Sequence, residues 1–181
     1  MRHALPLALL LTGCVSAQPF DLTITNGDSA PTFLAAGEST GVLVGLQEEV
    51  GSQWVWLSSS LASMCMPECG APLGAIVCAD MAAELSAVYG LLPGESVTKS
   101  FDGEFWYVDT LNNCARATSL TGALRSRICH GPSAMIDSSG EVVDDVDASG
   151  LLDAPSGATV IDPSCEELDF TLDDPTVTVT D

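Results

Sequence analysis

Phe20-Asp21-Leu22-Thr23-Ile24-Thr25 alternates apolar and polar residues and then meets Asn26-Gly27, the pattern of a half-buried strand closed by a turn. Similar patterning predicts strands at residues 40–46, 53–57, 95–101, 104–109, 123–129, 166–172 and 176–180. Gly, Pro and Asn separate them at intervals that fit an antiparallel sandwich rather than alternating βαβ units. Met81, Leu85 and Val88 fall at helical spacing, so one short helix or turn is expected near residues 79–89. The second half of that stretch reads equally well as a strand, because it leads directly into Pro93-Gly94. Residues 137–163 show weak periodicity and many Ser, Gly and Pro, and read as a long acidic loop within a single domain spanning 20–181.

Ahead of that domain, Arg2-His3 precede an apolar run over residues 4–11 that falls far short of the ~20 residues of a spanning helix. The run ends in Leu11-Thr12-Gly13-Cys14, so residues 1–13 read as an export signal. Small residues at Val15-Ser16-Ala17 also fit an ordinary secretory cleavage site, and the two readings compete. The order Leu-Thr-Gly-Cys resembles the lipobox of bacterial lipoproteins. The resemblance implies cleavage before Cys14, lipid on its sulfur, and a place in the bacterial cell envelope facing the periplasm or the cell surface. Residues 15–19 then form a tether reaching at most ~18 Å, which holds the domain close to the bilayer.

Leu92-Pro93-Gly94-Glu95-Ser96-Val97, followed by Asp102-Gly103 and Phe105-Trp106-Tyr107, is similar to the turn and strand of bacterial immunoglobulin-like envelope domains. That similarity spans about a third of the chain and implies an immunoglobulin-like sandwich without specifying an activity. A comparable stretch occurs in sandwich-type proteinase inhibitors, but no inhibitory loop can be named in this sequence.

The cysteines bear on both fold and compartment. Apart from Cys14, the chain carries Cys65, Cys69, Cys78, Cys114, Cys129 and Cys165, an even set that in an exported protein reads as disulfides. Cys129 ends one predicted strand and Cys165 precedes another, so antiparallel neighbours bring them side by side as a bridge. Cys114 then pairs with one of Cys65, Cys69 and Cys78, and the other two pair locally. The formal charge is −20, with 25 Asp plus Glu against five Lys plus Arg. Such an excess repels phosphate backbones and anionic headgroups, which argues against a nucleic-acid partner. From residue 137 onward there are 13 acidic residues and no Lys or Arg.

Candidate chemistry is sparse. Met64-Cys65-Met66-Pro67-Glu68-Cys69 offers soft ligands, but oxidised thiols cannot bind metal as thiolates, and disulfides are the expectation. Asp145, Asp147 and Ser149, with Gly150 next and Asp153 further on, follow the opening of a calcium-loop pattern. The pattern fails at Ser156, where a bidentate Glu is required, so calcium is a weak candidate ligand and no cofactor is expected. His130 is the one imidazole beyond the signal, no nucleophile elbow or phosphate loop accompanies it, and no catalytic residue is assigned. Trp54 and Trp56 share one face of their strand. They form either an aromatic platform for sugar or peptide, or a core Trp with a second packed under a loop, and the core reading is the expectation.

Together these features predict a non-enzymatic, lipid-anchored module that binds a protein or glycan of the envelope. The alternatives are a divalent-cation-binding surface protein and a secreted hydrolase or protease inhibitor.

Overall fold

The computed structural model describes residues 19–71, 86–136, 139–154 and 157–180. Among the described residues sixteen strands follow one another: β1 (Phe20–Asn26), β2 (Thr32–Gly37), β3 (Gly41–Val42), β4 (Val44–Val50), β5 (Gln53–Leu57), β6 (Ser86–Leu91), β7 (Ser96–Phe101) and β8 (Phe105–Asp109). The remainder are β9 (Cys114–Thr118), β10 (Leu124–Gly131), β11 (Ala134–Ile136), β12 (Glu141–Val143), β13 (Gly150–Leu151), β14 (Ala158–Val160), β15 (Ser164–Phe170) and β16 (Thr176–Val179). A single 3-10 turn at Ala62–Met64 interrupts them among the described residues.

The fold is an all-β sandwich. One layer is the sheet β16-β1-β7, in which β1 runs parallel to β16 and antiparallel to β7. The other is the eight-stranded sheet β13-β6-β2-β10-β4-β5, with β15 pairing to β10 and β3 to β2. The inward residues of both layers form one core: Leu22 and Ile24 from β1 and Val177 and Val179 from β16 meet Leu34, Leu46, Ile128 and Phe170. Phe20 closes one end of it, with ring centroids 5.0 Å from Phe101, 6.1 Å from Phe105 and 5.9 Å from Phe170. Alternation in β1 thus reports a strand with one face on this core.

A small third layer covers part of the outer face. The sheet β12-β11-β14 lies there, and Phe33 and Val88 pack under Ala134, Ala154 and Ala158. Strand β2 is therefore buried on both sides, with Thr32, Phe33 and Leu34 all fully buried. A strand covered twice has no reason to alternate, and its sequence Thr-Phe-Leu-Ala-Ala-Gly does not.

One expectation is corrected here. Of the stretch near residues 79–89, the described second half follows the strand reading as β6, paired along its length with β2, and residues 79–85 lie outside the described residues. Residues 137–163 are not a plain loop, since β12, β13 and β14 all fall within them. Val146 packs on the backbone of β6 so closely that a Cβ at Gly90 would lie 2.9 Å from its methyl carbon. The cross-strand bridge is present: β10 and β15 pair with Cys129 opposite Cys165, and the two form a disulfide.

Asn26 ties the layers together at the turn after β6. Its buried amide donates to the carbonyls of Leu91 and Ala30, each at 2.9 Å, and its Oδ1 accepts from the Asp28 N–H. Its backbone also bonds both Gly94 and Glu95, which fixes the Leu92–Glu95 turn against the end of β1.

Candidate functional site

Strands β4 and β5 form a hairpin whose two central residues, Gly51 and Ser52, have φ of 57° and 72°. Positive φ at both positions matches the tight turn whose twist suits a hairpin. The register sets Leu57 opposite Leu46 and packs it against the core, so Trp54 and Trp56 turn to the outer face. The outer reading of the tryptophans therefore replaces the core reading. Trp56 is 47% exposed, and neither ring belongs to the core.

Arginines from β10 hold these rings. The Arg125 guanidinium lies 4.1 Å from the Trp54 ring centroid, and that of Arg127 lies 5.9 Å from Trp56. Arg125 is itself oriented by Asp169 at 2.7 Å and Glu167 at 3.3 Å, which raise its pKa above the ordinary value. Beneath Trp56 the chain has Gly45, where a Cβ would sit 2.8 Å from the indole. A side chain there would push the ring outward, so glycine sets how flat Trp56 lies on the sheet.

Facing the tryptophans is the hairpin β8–β9. Its tip is organised by the Asp109 carboxylate, which accepts from the N–H groups of Leu111 and Asn112, from Asn112 Nδ2 at 2.8 Å, and from Arg116 Nη2 at 2.6 Å. The Arg116 hydrogen bond, then that of the Asn112 side chain, lowers the Asp109 pKa from 3.8 to about 2. A disulfide from Cys69 to Cys114 fastens the hairpin at its tip end, where Cys114 pairs with Asp109, beside backbone bonds from Cys69 N–H to the Ala115 carbonyl and from Ala115 N–H to that of Pro67. So braced, the tip presents Leu111 at 95% exposure and Val108 at 40%. Between hairpin and tryptophans lies an open cleft of about 450 Å³, lined among others by Trp54, Trp56, Tyr107, Val108 and Leu111.

The other predicted positions come to different ends. Cys65 is disulfide-bonded, as are Cys69, Cys114, Cys129 and Cys165, so none of the five offers a thiolate to a metal. Cys14 and Cys78 lie outside the described residues. The calcium-loop residues are not drawn together. Ser149 accepts the Leu92 N–H at 2.9 Å and donates to the Glu95 carboxylate, clipping the acidic segment to the turn after β6. Asp145 accepts the N–H of its neighbour Val146, and Asp145, Asp147 and Asp153 are all exposed. Among the described residues, the trio of ligand atoms that converges within 4.8 Å is Cys69, Asp109 and Cys114, two of which are bonded to each other. His130 is closed to solvent on the core side of β10, with Nε2 3.8 Å from the Glu166 carboxylate.

Sequence reasoning missed the hairpin tip and the arginines that stack on the rings. A local signal for the tip exists: Asp109 is followed at three and seven residues by Asn112 and Arg116, the partners its carboxylate uses. Compared with known proteins, the chain matches no protein-family model, no curated protein and no solved structure.

Proposed function

We propose that this protein is a non-catalytic binding module of the bacterial cell envelope, tethered through lipid on Cys14, whose tryptophan-lined cleft engages an envelope protein or glycan. The observation that carries the reading is the cleft itself: Trp56 is 47% exposed and Leu111 95% exposed on two braced hairpins. Large apolar side chains held out to water by dedicated hydrogen bonds and a disulfide lose little conformational freedom on binding. That is the condition under which aromatic anchors contribute most. The lipobox-like Leu11-Thr12-Gly13-Cys14 and the disulfides support an exported, oxidising location.

The test uses the mature domain and its intrinsic tryptophan fluorescence, titrated with envelope oligosaccharides and with peptides. A saturable change is expected, weakened at least tenfold by Trp56→Ala with thermal stability nearly unchanged, because the ring is half exposed and outside the core. Binding that survives Trp56→Ala and Leu111→Ala together would place the function elsewhere. Acylated Cys14 at the mature N-terminus, and release from membranes in Cys14→Ala, test the tether.

A further inference from the structure

The cleft separates two strands that begin to pair and then part. Ser58 and Trp106 form an antiparallel bridge, exchanging N–H to carbonyl bonds of 2.8 and 2.9 Å. Continuing that ladder would set Trp56 opposite Val108. The structure does not continue it: β5 forms its ladder with β4, and β8 forms its ladder with β9. Backbone groups alternate sides along a strand. Because Ser58 bonds toward β8, Trp56 and Trp54 turn their N–H and C=O groups the same way. By the same parity Trp106 and Val108 turn theirs toward β5. Two sheet edges therefore face each other across the cleft, bonded at Ser58 and Trp106, still close at Trp56 and parting toward Trp54 and Thr110.

Resting on the binding-module reading, we propose that the natural occupant is an extended polypeptide segment that inserts as a strand between β5 and β8. Sheet edges recruit strands because every unpaired N–H and C=O gains a partner. An inserted segment of about five residues, roughly 17 Å long, would bond to β5 through one alternate set of its peptide groups and to β8 through the other. Its side chains would alternate as well, one set against Trp56 and Val108 on the outer face, the other against Val55 and Tyr107. All four line the cleft, so apolar residues suit both sets. Charge selects the flanks: a domain with 25 acidic residues and formal charge −20 favours a segment bordered by Lys or Arg.

The test selects binders to the mature domain from a phage-displayed random decapeptide library and sets them beside hexa-N-acetylglucosamine as a saccharide probe. The selected peptides are expected to be apolar at the centre and basic at the flanks, with affinity falling as salt rises. Methylating either alternate set of their backbone nitrogens should weaken binding tenfold or more. Val108→Pro, which removes a donor facing the cleft and leaves the β9 ladder intact, should do the same in a protein whose circular dichroism is unchanged. Peptides insensitive to both methylation sets dock by side chains alone and overturn strand insertion. Loss with one set only means addition to a single edge, and also overturns it. Saccharide binding that depends on Trp56, with no peptide selected, overturns the strand and leaves the cleft standing. Should neither probe bind, both readings fall.

Discussion

Asp109 shows how one side chain can set the shape of a recognition surface. It stands at the start of an exposed turn, yet its carboxylate gathers two backbone N–H groups, an amide and a guanidinium. Those donors favour the charged form, so the group holds its proton only below about pH 2. The unfolded chain releases it near the ordinary 3.8. A depressed carboxylate contributes stability above the unfolded value and loses it as pH falls through the folded one, so the turn should loosen between about pH 4 and pH 2. Carbon-13 NMR titration of the Asp109 carboxyl should give a midpoint near 2 in the wild-type protein. In Arg116→Gln that midpoint should move back toward the ordinary value. A wild-type midpoint near 4 would mean the tip is not organised as described, and that Leu111 is not held out by it.

Disulfides act at the scale of strands, and the two described here do different things. Cys129–Cys165 joins paired strands 36 residues apart in sequence, and Cys69–Cys114 closes a separation of 45 to anchor the hairpin beside the cleft. Loop-closure entropy gives each about 4 kcal/mol. Replacing Cys129 and Cys165 together by Ala should cost about that much in urea unfolding, because Cys165 is exposed and little packing is lost with it. Tryptophan fluorescence should meanwhile stay native. A loss under about 1 kcal/mol would show that the β10–β15 ladder constrains the chain without its bridge. This bridge was legible in the sequence because it needed only two strand ends and an antiparallel pairing. Strand β1 was legible for a similar reason, since one buried face imposes period two. Strand β2 was not, because Phe33 and Leu34 are buried on opposite sides and no polar face remains to mark the period. The short strands within residues 139–160 carry two or three residues each, too few to express any period. The cleft was half legible: parity put Trp54 and Trp56 on one face, but which face looked outward depended on Leu57 meeting a core assembled from distant strands.

Charge is a property of the whole molecule, and its few cations gather beside the cleft, where Arg125 is held by Glu167 and Asp169 of the acidic half. Three of the four basic residues after residue 19, Arg116, Arg125 and Arg127, brace the cleft through Asp109, Trp54 and Trp56, while the region after residue 136 carries no Lys or Arg. In that region Ser149 serves as a clip to the turn after β6, and among the described residues the exposed carboxylates of Asp145 and Asp147 do not converge on one point. A formal charge of −20 on one small sandwich repels itself. Its field extends ~30 Å at 0.01 M ionic strength and only ~8 Å at 0.15 M. Thermal stability should therefore climb as sodium chloride is raised over that interval. Calcium and magnesium chlorides at matched ionic strength should give equal and gradual further shifts, because screening does not distinguish the two ions. A saturable rise with calcium alone, abolished by Asp145→Ala and Asp147→Ala, would instead demand that the exposed carboxylates close around the ion. The acidic segment would then be a ligand site in its own right, and the cleft one of two functional surfaces.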